Sequence, residues 1–195
     1  MKNQYVVWAA YLEPGKNFCV LDDLDNVDDD FELKKGVPRA DGFPENAVMS
    51  MDAEYPKAIA LADNIHNTCR LIVVSQRLKE FFDQRNLKNV EFLPVRIMNH
   101  KNRLASKDYF IINPIRPQEC LDIKKSGCTW SDIIKDDIDE IKRLVLDEKR
   151  LDPEVAMFRL KHFYKPVLVK RELADAITAE GFTGLRWIEL SDYES

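Results

Sequence analysis

Apolar and polar positions alternate from the start of the chain. Residues 5–10 read YVVWAA, with Val6 and Trp8 on one side of an extended backbone and Tyr5 and Val7 on the other, which predicts a first strand. Pro14-Gly15 turns the chain, and residues 18–21 can pair back as a second strand. Ala58, Leu61, Ala62 and Ile65 share one face at helical spacing, so a helix is expected from about residues 50–55, with Pro56 tolerated in its first turn. The run Leu71-Ile72-Val73-Val74 reads as a buried strand. Ser75 follows as an N-cap, and 78–82 as a short helix. Residues 90–97 form the next strand, 99–102 a turn, and 109–112 its hairpin partner.

Beyond residue 128 the pattern supports two readings. Thr129 with Asp132 resembles a capping box, and Ile134, Ile138, Ile141 and Val145 keep helical spacing. Leu144-Val145-Leu146 would equally serve as a strand, so that boundary stays open. Asp152-Pro153 breaks any continuous element, and 156–160 reads as extended.

One regularity spans the chain. Residues 73–95 lie on 168–190 at a constant offset of 95 with no gap. Val73 meets Leu168, Leu78 meets Leu173, Phe82 meets Ile177, Phe92 meets Trp187, and Leu93 meets Ile188. Both stretches read strand, short helix, turn, strand, either as an internal repeat or as two units of the same kind. Gly181 stands where the second helix should stop. The expected fold is therefore α+β: a mixed sheet with short helices, containing two similar strand-helix-strand units at about 70–97 and 165–190. No linker is rich enough in Gly and Ser to divide the chain. A single domain over 1–195 is expected, with an N-terminal subregion of about 1–50 packed on a core of about 50–190.

Composition narrows the function classes. With 45% hydrophobic and 32% charged residues, the chain is neither disordered nor fibrous. Lys and Arg number 29 against 34 Asp and Glu, a net charge of -5, which disfavours non-specific nucleic-acid binding. No apolar run approaches the ~18 residues of a membrane span. The first residues are too short and too aromatic for a signal peptide, so a cytoplasmic protein is expected. Cys19, Cys69, Cys120 and Cys128 stand 50, 51 and 8 residues apart, without zinc-pair spacing, and read as small hydrophobes.

Motifs for chemistry are missing. There is no H-E-x-x-H, G-x-G-x-x-G, Walker loop, G-x-S-x-G or S-x-x-K. His66 and Cys69 would share a helix face three residues apart, and Cys120 near His162 would need the fold to join them. Asp23, Asp25 and Asp28 hint at a calcium loop, yet Val27 and Asp28 occupy its fifth and sixth positions, where an oxygen ligand and a Gly belong. No catalytic residue, metal or cofactor is assigned.

What remains is charge. Asp22, Asp23, Asp25, Asp28, Asp29 and Asp30 put six aspartates into nine positions, too charged for a core element and so expected as a loop or edge. The bland reading is a solvated acidic loop. The sharper one is an electrostatic contact for a basic partner, with Phe31, Phe43 and Tyr55 as apolar anchors.

The segments GVPRADGFPENAVMSMD (36–52), RLIVVSQRLKEFF (70–82), YFIINPIRPQECLDI (109–123) and FRLKHFYKPVLVKRELADAITAEGFTGLRWIEL (158–190) carry a family resemblance. Together they resemble the myxobacterial-type immunity domain of bacterial polymorphic toxin systems, formerly a domain of unknown function, over roughly residues 35–190. The resemblance implies a small cytoplasmic protein that binds one cognate toxin and neutralises it by stoichiometric occlusion, without catalysis. The acidic charge would suit a basic toxin such as a nuclease. The alternatives are a small-ligand or enzymatic domain whose site uses Cys120, His162 or His66, and a regulatory protein-binding scaffold. Monomer and homodimer both stay open; strands 5–10 or 90–97 could pair across a dimer if they are edges.

Overall fold

Alternation along residues 90–114 builds the longest hairpin in the molecule. In the computed structural model, which describes residues 4–194, β6 (Val90–Met98) and β7 (Leu104–Pro114) pair antiparallel from Val90↔Pro114 to Met98↔Leu104. Asn99 closes the turn: its carbonyl accepts from Asn102 N at 2.9 Å and its side chain from Lys101 N at 2.9 Å. The remaining elements are β1 (Tyr5–Ala10), β2 (Val20–Asp25), α1 (Phe31–Lys34), β3 (Val48–Met51), β4 (Asn64–Asn67), β5 (Ile72–Ser75) and α2 (Gln76–Asp83). After β7 follow α3 (Ile123–Ser126), β8 (Cys128–Trp130), β9 (Ile138–Ile141), β10 (Met157–Arg159), β11 (Val167–Lys170), α4 (Arg171–Ala179) and β12 (Leu185–Glu189).

Six strands close a mixed barrel in the order β2-β3-β6-β7-β5-β4, and four form an antiparallel sheet in the order β10-β11-β1-β12. Leu21, Met49, Ile65, Val73, Leu93 and Ile111 fill the barrel. The alternation in β1 then divides two further cores. Val6 and Trp8 face α2, α4 and the barrel, whereas Tyr5 and Val7 face Phe158, Leu168 and the β8–β9 ribbon. The expected α+β architecture is what forms.

The two strand-helix-strand units share a topology as well as a pattern. In the first, β5 and β6 flank β7, so Ile111 pairs with both Val73 and Leu93. In the second, β11 and β12 flank β1, so Val7 pairs with both Leu168 and Ile188. The matched residues of the offset thus meet equivalent partners. The inner strands match too: Tyr109-Phe110-Ile111-Ile112 in one unit corresponds to Tyr5-Val6-Val7-Trp8 in the other. Ser75 caps α2 as expected, accepting from Leu78 N, and Gly181 follows α4 at φ +66°.

Four expectations are corrected. No helix spans 50–65; that stretch holds the end of β3, two turns and β4. The buried Asn67 amide prefers local backbone partners, accepting from Leu71 N at 2.9 Å and donating to Leu71 O at 2.8 Å, which favours a strand end over a helix. No helix forms from Thr129 either. Gly127, at φ +64°, ends α3, and β8 pairs with β9. The Ser131 hydroxyl accepts from Ile133 N and Ile134 N, closing a turn where one of the two open readings placed a helix. Third, residues 22–25 are not loop but the end of strand β2, paired with β3 through Leu24 and Asp25, while 26–30 form the turn into α1 that the charge predicted. Last, strands 5–10 and 90–97 are interior to their sheets, so neither offers an edge for pairing with a second copy.

Candidate functional site

The acidic segment is built around two leucines. Leu21 and Leu24 point into the barrel, and a register shift between them turns both Asp22 and Asp23 outward. Asn26 and Asp29 take the left-handed backbone that Asn and Asp tolerate best, at φ 63° and 53°, and carry the chain into α1. Asp22, Asp23, Asp25, Asp28 and Asp29 are exposed, and Asp30 is half-buried. Asp23 accepts from the Thr68 hydroxyl at 3.4 Å and the Cys69 thiol at 3.7 Å. Among the described residues none of the six carboxylates joins a salt bridge. Their field is therefore directed at solvent. Arg39 braces this corner, donating to the Asp28 carbonyl at 2.7 Å and pairing with Glu32.

Phe31, directly after the aspartates, is 52% exposed and sits at the mouth of a cavity of about 760 Å³. Across that mouth stands Ile134, in the turn between β8 and β9. The turn and the end of β8 carry an apolar knob: Ile133 is 92% exposed, Ile134 49% and Trp130 46%. Lys35 ties the two walls together through a 2.9 Å salt bridge to Asp137. An acidic face thus runs beside exposed apolar side chains. Of the expected anchors, Phe31 and Tyr55 are exposed, whereas Phe43 packs against the barrel core. The knob was missed because Ile134 read as one face of a helix with Ile138 and Ile141. Those two are buried in the third core, and the polar Ser131-Asp132 and Lys135-Asp136 flanks were the turn signal.

The histidines and cysteines do not gather. His66 is exposed on strand β4 while Cys69 is buried beyond its end, so the two do not share a helix face. His162 Nδ1 faces the Asp136 carbonyl at 2.6 Å, and Cys120 lies in the core under the four-stranded sheet. Burial pushes the Cys120 thiol up to about 12 and Cys19 up to about 11, the reverse of what a nucleophile needs. Among the described residues no three His, Cys, Asp or Glu side chains are placed to hold a metal ion. No helix among them is long and apolar enough to cross a membrane.

Comparison with protein families decides the kinship. The model of an immunity protein family, Imm11, matches residues 11–192. The chain belongs to that family. The match takes in the barrel, the acidic corner and three strands of the four-stranded sheet, starting just after β1, and extends the resemblance read from residues 35–190 to nearly the whole chain. No curated protein matches the chain.

Proposed function

We propose that this chain is a cytoplasmic immunity protein that binds a cognate bacterial toxin and neutralises it by stoichiometric occlusion, with no catalysis of its own. Membership of an immunity protein family carries the reading. The unpaired aspartates of residues 22–30 support a basic partner, a nuclease being the toxin class with most need of a positive surface. In this reading Asp22, Asp23, Asp25, Asp28, Asp29 and Asp30 steer the encounter, while Phe31, Trp130 and Ile133 desolvate at the centre of the contact.

The test is growth rescue. The toxin domain encoded beside this gene is expressed in a sensitive host with and without this protein, and the pair is co-purified. Restored viability with a one-to-one complex is the expected result. A toxin that still kills, and that leaves no complex, rejects the reading.

A further inference from the structure

Arg159 is the only charged side chain buried among the described residues, at 2% exposure. It belongs to β10, paired with Val167 of β11, and it lines the cavity between α1 and the β8–β9 turn. Its Nη1 donates to the Tyr164 carbonyl at 2.9 Å. Nε and Nη2 have no partner among the described residues, although both are shielded from solvent. Those two nitrogens form one edge of the guanidinium plane, the two-donor fork that grips an oxyanion. No carboxylate compensates the charge, and desolvation alone lowers its pKa to about 10. An uncompensated buried cation is costly, and a hydrophobic side chain of similar volume would be the more stable filling.

The rest of the cavity fits a ligand with more than one negative charge. Lys34, Lys35, Arg70 and Lys165 join Arg159 around it, against Asp137 and Asp139. Five cations facing two carboxylates make a local surplus of three positive charges in a chain whose net charge is -5. The volume of about 760 Å³ lies within the range of small-molecule sites. The rings of Phe31 and Tyr164 offer apolar wall.

We propose that this cavity binds a phosphorylated small molecule of nucleotide size, its phosphate held at the cationic wall and reached by the Nε–Nη2 edge of Arg159 through a side-chain shift that uncovers it. The wall lysines supply the remaining charge, and the rings take the organic part. A dianionic phosphate matches the surplus better than a single carboxylate does. The proposal does not depend on toxin binding, and its test uses no toxin.

The full chain is titrated calorimetrically with adenosine monophosphate, inorganic phosphate, adenosine and acetate, with melting temperature followed in parallel. Adenosine monophosphate is expected to bind saturably and to raise the melting temperature, more weakly as salt increases. Phosphate should do the same at higher concentration, adenosine and acetate not at all. Arg159→Met should fold and lose at least ten-fold in affinity. Arg159→Lys, which keeps the charge but not the fork, should lose nearly as much. Should either variant fail to fold, the double change Lys34→Gln with Lys165→Gln leaves the buried residue intact and should weaken binding several-fold. No binding of adenosine monophosphate or phosphate at millimolar concentration overturns the proposal. So do adenosine binding as tightly as its monophosphate, binding unchanged in a folded Arg159→Met, or, where the Arg159 variants do not fold, binding unchanged in the double variant.

Discussion

Gly184 packs against Asn64 so closely that a Cβ at position 184 would lie 2.0 Å from the Asn64 carbonyl oxygen and 2.7 Å from Cβ of Ala62. The contact joins the two sheets. Asn64 donates its amide to the Gly184 carbonyl at 2.8 Å and accepts from the Trp8 indole at 3.3 Å. Gly184 also holds φ +81°, where any Cβ is strained. Gly184→Ala should therefore cost about 3 kcal/mol, adding backbone strain to overpacking, and lower the melting temperature by roughly 6–12 °C. Circular dichroism melts check this; an unchanged midpoint would mean the two sheets tolerate separation here.

Asp63 is the polar hub of the same joint. Its carboxylate accepts from Ser75 Oγ at 2.9 Å, from Arg77 Nη1 at 3.0 Å, and from both the backbone N and the hydroxyl of Thr183 at 3.0 Å. Asp63→Ala strands the Thr183 N–H and should destabilise by about 2–4 kcal/mol. A double-mutant cycle with Thr183→Val should return a coupling of about 1 kcal/mol or more. Simple additivity in urea unfolding would show the bonds to be incidental.

Alkaline pH should unfold the protein early. Burial raises Cys19 to about 11 and Cys120 to about 12 from an ordinary 9.0, so the folded state holds these protons more tightly than the unfolded state does. Their contribution to stability is complete below pH 9 and is lost as pH rises through the folded-state values. Melting temperature should fall steadily from about pH 9 upward. In Cys19→Ala with Cys120→Ala the pH slope should flatten, whatever the absolute stability; an unaltered slope would assign the loss to other groups.

If the proposed acidic contact is the docking face, Asp28, Asp29 and Asp30 replaced together by Asn should slow association with the toxin about ten-fold at low salt and flatten its ionic-strength dependence. Surface-plasmon kinetics would expose the opposite outcome, an unchanged on-rate, which removes this corner from the interface.

Ile133→Asp probes the apolar half of that face. At 92% exposure the residue contributes little to folding, so stability should hold within about 0.5 kcal/mol. Toxin affinity should fall at least ten-fold, about 1.4 kcal/mol. Full affinity in the folded variant would place the contact elsewhere.

Much of the fold was legible residue by residue. The alternation of β1, the β6–β7 hairpin with its Asn99 turn, the Ser75 cap and the offset of 95 between the two units all appear in the structure. Where the reading failed, at 50–65 and after Thr129, the spacing of a few aliphatic residues was set against Asn67 and Ser131, whose side chains bind nearby backbone. The acidic residues of the candidate site were visible as a run. The Trp130–Ile133–Ile134 knob was not, because exposure of an isoleucine leaves no mark in the sequence.

Periodicity reports which face of a local element is apolar, since that depends only on backbone geometry repeated every two or 3.6 residues. On that basis the sequence alone determined the strand-helix-strand units, their caps and the overall α+β class. It could not determine which strands become neighbours, because pairing is settled by contacts between residues far apart along the chain. Only the tertiary structure therefore closed six strands into a barrel, carried the aspartates of β2 onto its outer wall, and set β1 and β7 in equivalent places between their flanking strands. It alone buried Arg159 beside a cavity, because which side chains lose water depends on how distant strands pack.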